Sequence, residues 1–166
     1  MRTLIAGIAL VCATPLLAEI QVDFIEGAPK DRFVVTNTAD CGLDAAHITV
    51  DLQNSTGGIV FDVTGSGAGV EVFQPMEVVA GRELLGEVPQ VTDGDTAVTL
   101  SVAPLGAGQS VAFTIDVDDT KAGRQITVSD SEIAGAEVFV QMGEKRHTGV
   151  FGARSVAVVP MAGCES

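Results

Sequence analysis

The sequence contains no tryptophan and no tyrosine, and its aromatic residues are seven phenylalanines among 166 residues. Sugar-cleaving clefts usually offer aromatic platforms, so this scarcity argues against glycosidase chemistry despite the paired acids described below. Basic residues are also few, because 9 Lys and Arg stand against 22 Asp and Glu, for a net charge of −13. A surface this negative repels phosphate backbones and anionic membranes, so we expect no nucleic-acid partner.

The usual catalytic and metal-binding patterns are missing as well. His47 and His147 have no His or Cys close in sequence, so they give no zinc pattern. Ser66 and Ser110 lack a nucleophile-elbow context, and the glycine-rich residues 65–69 lack a following P-loop lysine. Neither an EF-hand spacing nor a nonapeptide calcium repeat occurs. We therefore predict that the protein is not an enzyme.

Residues 1–18 have the pattern of a cleaved secretory signal peptide. Arg2 precedes the apolar residues 4–11, and Ala18 offers a small residue for cleavage. A transmembrane anchor is the alternative, but it needs about 20 apolar residues. Cleavage would leave residues 19–166 as one exported domain, periplasmic or extracellular, without membrane insertion. Its net charge would be −14, since Arg2 is the only charged residue removed.

Cleavage would also remove Cys12 and leave two cysteines, Cys41 and Cys164. Two cysteines in an exported chain most simply form one disulfide, and no C-x-x-C pair or neighbouring histidine favours metal-binding thiols. The predicted bridge would tie the last residues to an early loop, which is worth about 4–5 kcal/mol on the chain-entropy treatment. Two free or metal-binding thiols are the alternative.

Alternation of apolar and polar residues is the strongest pattern after residue 18. Ile48, Val50 and Leu52 alternate with polar residues, as do the apolar residues of segment 111–117. Turn-forming segments rich in Gly, Pro and Asp separate such stretches, and no long helical stripe occurs. Strands about every ten residues predict an all-β fold. We expect a single antiparallel β-sandwich, Ig-like or jelly-roll-like, with about nine to eleven strands; a barrel is the alternative.

Two acidic segments give the richest chemical pattern. Alternation places Asp116 and Asp118 on one face of a strand, about 7 Å apart. The candidate ligands are, in chain order, Asp93, Asp95, Asp116, Asp118 and Asp119.

Carboxylates this close repel one another unless something neutralises them, and Ca²⁺ accepts six to eight oxygens in a forgiving geometry. We therefore predict a possible calcium site, to which Asp62 and Glu71 could contribute from neighbouring strands. The alternative is a set of hydrated acids at strand ends, partly neutralised by Lys121 and Arg124.

Several stretches resemble a group of small exported bacterial proteins labelled "aggregation factor core", and similar segments occur in secreted calcium-repeat proteins. The stretches are FIEGAPKDRF (24–33), ITVDL (48–52), GIVFD (58–62), GAGVEVFQP (67–75), FTIDVDD (113–119) and EIAGA (132–136). The resemblance covers most of residues 19–166. It implies an extracellular or periplasmic β-domain with a calcium-linked, adhesive role, and it supplies no established site residues.

Taken together, these patterns predict an exported, non-enzymatic binding or adhesion domain that calcium stabilises. Its partner would be a protein or a glycan at the cell surface or envelope. The alternative is a metal-free structural or accessory protein of the cell envelope that binds a protein partner through a sheet edge or an apolar patch.

Overall fold

The computed structural model describes residues 18–63, 73–121 and 128–161. Within these ranges the chain forms eleven β-strands and one short 3₁₀ helix, Arg82–Leu84. The strands are β1 Ala18–Ile25, β2 Asp31–Asn37, β3 Ala46–Asp51, β4 Ile59–Phe61, β5 Glu77–Ala80, β6 Ala97–Val102, β7 Ser110–Ile115, β8 Val117–Asp119, β9 Glu137–Met142, β10 Lys145–Val150 and β11 Val156–Met161.

The strands form three antiparallel sheets. The five-stranded sheet has the order β11-β1-β2-β7-β5, the four-stranded sheet has the order β10-β9-β3-β6, and β4 pairs with β8. None of the sheets closes on itself, and the arrangement is sandwich-like. The predicted all-β, antiparallel fold with nine to eleven strands is therefore confirmed.

The core consists of the inward faces of these sheets. In β3, Ile48 and Val50 are buried, as is Leu52 just beyond it, so the predicted alternation is confirmed there.

In the larger sheet, register brings three aromatic rings side by side across β1, β2 and β7. Phe24 pairs with Phe33, which pairs with Phe113. The Phe33 ring centroid lies 5.1 Å from each of the other two. Rings at this separation add to the stabilisation that their burial supplies.

Two predictions fall largely outside the described residues. The signal peptide does so except for Ala18, which begins β1. Cys41 is half-buried against the core, but Cys164 lies beyond the described ranges, so the Cys41–Cys164 bridge stays a prediction. No helix within the described residues has the length and hydropathy needed to cross a bilayer.

Replacing Phe113 with Ala should destabilise the protein by about 3–5 kcal/mol, because the fully buried ring leaves a cavity beside Phe33. Phe73→Ala is the matched control, since 71% of that side chain is exposed. It should change stability by less than about 0.5 kcal/mol. Urea unfolding followed by circular dichroism measures both values, and equal losses in the two variants would contradict the proposed core.

Candidate acidic site

The pairing of β4 with β8 places three aspartates on one face. Phe61 pairs with Val117, and both side chains are buried in the core. The ladder continues one step further, where the Asp62 N–H donates to the Asp116 carbonyl at 3.0 Å. Because side chains alternate along a strand, Asp62, Asp116 and Asp118 project to the side away from the core.

A tight turn at residues 92–95 adds a fourth aspartate. The Gly94 N–H donates to the Phe61 carbonyl at 2.8 Å, which holds the turn against the free edge of β4. Gly94 has a φ of +80°, a left-handed conformation that side-chain-bearing residues rarely adopt. The Val63 N–H donates to Asp93 Oδ1 at 3.2 Å. The turn therefore fixes the Asp93 carboxylate beside the end of β4.

Asp62 is the buried centre of this group. Only 4% of the residue is exposed, and within the described part of the chain no hydrogen-bond donor reaches either carboxyl oxygen. Its neighbours are instead the carboxyl groups of Asp93 and Asp118. Burial, and then these two neighbours, raise the pKa of Asp62 to about 7. The Asp62 carboxyl is therefore much harder to ionise than an exposed aspartate.

Asp118 and Asp116 share this environment. Burial raises the pKa of Asp118, and the charges of Asp119 and Asp93 raise it further, while the contact with Asp62 lowers it. Burial and the Asp118 charge raise the pKa of Asp116 to about 6. We call Asp62, Asp93 and Asp118 the acidic cluster; Asp116 and Asp119 flank it.

A second buried acid, Asp31, lies beyond Asp116. It begins β2, it is 3% exposed, and its Oδ1 accepts a hydrogen bond from the Gly27 N–H at 3.0 Å. Burial raises the pKa of Asp31 to about 7, and the Asp116 charge contributes to this rise. Gln74 joins the same region, because its Nε2 donates to Asp116 Oδ2 at 2.7 Å. This end of the sandwich thus holds several carboxyls that burial makes hard to ionise.

The five predicted ligand residues have different surroundings. Asp93 and Asp118 meet at Asp62, whereas Asp116 and Asp119 lie beside Asp118. Asp95 instead closes its own turn.

The Asp95 carboxylate accepts hydrogen bonds from the Thr92 N–H at 2.8 Å and the Thr92 hydroxyl at 2.6 Å. These two bonds lower the pKa of Asp95. Asp95 therefore serves local turn structure.

Two residues of this region were not among the predicted ligands. Asp31 shares the inward face of β2 with Phe33 and Val35, so the alternation of β2 could have marked it as a buried acid. No local pattern marks Gln74, whose contact with Asp116 spans 42 positions. Glu71, which the sequence offered as a further ligand, lies outside the described residues.

The four-stranded sheet carries a separate polar pair on its outer face. His47 Nδ1 lies 3.1 Å from the hydroxyl oxygen of Ser101, and both residues are exposed. The acidic cluster is elsewhere, beside β4 and β8. Among the described residues, no three or more His, Cys, Asp or Glu side chains are already arranged to hold a metal ion.

Comparison with known proteins finds no relative of this chain. No protein-family model matches the sequence, no curated protein matches it, and no solved structure matches the fold. The resemblance to aggregation-factor-core proteins therefore stays a prediction. The function therefore has to be inferred from the residues described above.

Replacing Asp31 with Asn should stabilise the protein near pH 8 but not near pH 4. With a pKa raised from 3.8 to about 7, the folded state keeps a proton that the unfolded chain releases, so stability falls as pH rises from about 4 to 7. Asn stays neutral, but its single side-chain oxygen can accept from only one of the two backbone N–H groups, Gly27 and Val117, that face the carboxyl. We therefore expect the free energy of unfolding near pH 8 to rise by about 1–3 kcal/mol, less than the full effect of removing the charge.

Urea titrations of wild type and Asp31→Asn across that pH range provide the measurement. The exposed Asp44, at the other end of the sandwich, gives the control variant Asp44→Asn, whose pH dependence should follow the wild type. Parallel curves for Asp31→Asn and the wild type would show that Asp31 ionises normally in the folded protein.

Proposed function

We propose that the chain is an exported, non-enzymatic binding or adhesion domain, one end of which is stabilised by Ca²⁺ at the acidic cluster. The observation that carries this proposal is the buried Asp62 carboxyl, which faces the carboxyls of Asp93 and Asp118 rather than hydrogen-bond donors. Its non-enzymatic, adhesive character is supported by the missing catalytic motifs and by the resemblance described above.

A bound cation would neutralise the carboxylate charges of this cluster. An ionised carboxyl removed from water needs a proton, a donor or a cation, because burial disfavours its charge. Ca²⁺ takes oxygen ligands in a flexible geometry and retains water where side chains fall short. Gln74 Oε1 is also buried without a partner among the described residues, so it offers a neutral oxygen nearby. Asp93 is exposed and gives an ion access from solvent.

The cluster is not a preformed cage, because the described acidic side chains do not already surround one point. The proposal therefore requires that the ion draw Asp93 and Asp118 toward Asp62. Asp93 stands on a short turn and Asp118 on the three-residue strand β8, so the rearrangement would involve only these two local segments. The resulting site would be weak, as suits a domain exposed to extracellular calcium.

A metal-free envelope protein that binds a protein partner is the second candidate. The absence of a preformed ligand group among the described residues favours it, together with the pKa of Asp62 near 7. In this case a proton, rather than calcium, neutralises the cluster at neutral pH. Calcium titration separates the two candidates.

Export and disulfide closure belong to the same proposal. Cys41 and Cys164 are the two cysteines that remain once residues 1–18 are removed, and we propose that they form one bridge. Such a bridge forms and persists in the oxidising compartments outside the cytosol.

Mass spectrometry of the mature protein digested without reductant should therefore identify a peptide pair that joins Cys41 to Cys164. Reduction should lower the free energy of unfolding by about 2–5 kcal/mol, because the long loop is released in the unfolded chain. Alkylation of both cysteines in the oxidised, unfolded protein would contradict the bridge.

Calcium should raise the melting temperature of the mature protein near pH 7.5, measured by calorimetry in CaCl₂ against EDTA and MgCl₂. If the calcium concentration stands a hundredfold above the dissociation constant, mass action adds about 2.7 kcal/mol. Asp62→Asn should abolish this response. It should also raise the melting temperature in EDTA, because it removes a carboxyl that burial keeps from ionising.

The control is again Asp44→Asn, which removes one exposed negative charge at the opposite end of the sandwich. It should keep the full calcium response, and this separates a specific site from general screening of the protein's negative charge. Identical wild-type melting curves in calcium, magnesium and EDTA would contradict the calcium proposal and favour the metal-free candidate.

A further inference from the structure

An apolar groove of about 640 Å³ lies next to the acidic cluster. One wall comes from the segment that leads into β5 and includes Phe73 and Met76; the other comes from residues 88–93. Phe73 is 71% exposed, the highest fraction among the large hydrophobic side chains described as exposed. An aromatic ring held in water at the edge of a groove gains burial when an apolar molecule binds there.

The described side chains that line or adjoin the groove carry negative charge. Among the described residues that line it, Asp93 is the only one with an ionisable side chain. Glu87 directly precedes the wall and is exposed.

The nearby cation, Lys30, is already engaged with Glu77 at 3.0 Å and with the Pro75 carbonyl at 3.2 Å. The groove is therefore apolar inside and acidic at its rim. A molecule that complements it carries apolar groups next to positive charge.

We propose that this groove binds a segment of a protein partner in which an apolar side chain is flanked by Lys or Arg. The apolar side chain packs on Phe73 and Val91, and the flanking cation pairs with Asp93. This inference rests on the proposed function only in taking the chain to be a binding domain; it does not require calcium. It assigns the partner's chemistry and the surface that recognises it.

Asp93 links this groove to the acidic cluster. Its carboxylate lines the groove and also faces the Asp62 carboxyl. A calcium ion at the cluster would neutralise Asp93, and so it would weaken the attraction for a cationic segment. Calcium should therefore reduce the affinity of the groove for such a segment if the proposed function also holds.

The test compares two fluorescein-labelled peptides by fluorescence anisotropy with the full mature protein in EDTA. Both peptides carry the same number of lysines; in one the lysines alternate with leucine and in the other with serine. The leucine peptide should bind about tenfold tighter or more, as burial of an apolar side chain predicts. Phe73→Ser should remove this preference, and Asp93→Asn should weaken the binding of both peptides.

Val150→Ser is the matched control, because Val150 is 54% exposed but lies on β10, outside the groove. It should leave the preference for leucine unchanged. Equal affinities of the two peptides, a preference that survives Phe73→Ser, or binding of a neutral glycan in place of both peptides would overturn the proposal.

Repeating the titration in CaCl₂ distinguishes the two proposals. Binding that is weaker in CaCl₂ than in the same concentration of MgCl₂ supports both, because MgCl₂ provides equal screening. Binding that keeps its leucine preference and does not change with calcium supports the groove and counts against the calcium site.

Discussion

The burial of Phe61 determines the direction of the neighbouring Asp62 side chain. Because Phe61 is fully buried and side chains alternate, Asp62 has to project from the opposite face of β4. The turn that carries Asp93 is hydrogen-bonded to the edge of β4, the Asp93 carboxyl faces that of Asp62, and Asp62 is buried. A buried carboxyl without a donor costs free energy unless something neutralises it. The packing of the core thus places, at this end of the sandwich, a buried carboxyl whose charge has to be neutralised.

The role of each acidic residue depends on whether its surroundings are exposed or buried, and the total number of acids does not reveal it. Asp44 is exposed, and acids of this kind contribute only to the general negative field of the surface. Asp31 and Asp62 are buried, and their carboxyls resist ionisation at neutral pH. The net charge of −13 counts both kinds equally. Only the acids whose pKa the fold shifts link its stability to protons.

The strand pattern was predictable because it is local, whereas the acidic cluster depends on tertiary structure. Alternation identifies the inward face of β3 from a few residues. In contrast, Asp93 reaches the end of β4 because its turn folds back on Phe61. In sequence, the two acids of the Asp-Gly-Asp segment look equivalent. In the structure, Thr92 donates two hydrogen bonds to the Asp95 carboxylate, whereas the Asp93 carboxyl faces that of Asp62. A linear pattern does not distinguish those two roles.

Asp93 also explains why the acidic cluster and the apolar groove should not act independently. Its Oδ1 accepts the Val63 N–H, so the carboxylate is held at a fixed place between the two features. A positive charge bound in the acidic cluster would change the electrostatic potential in the groove, and the reverse also holds, because the Asp93 carboxylate borders both. A cation bound near Asp62 and a cationic partner bound in the groove would therefore compete electrostatically. Such competition would require no movement of the strands, because the shared group is a single side chain.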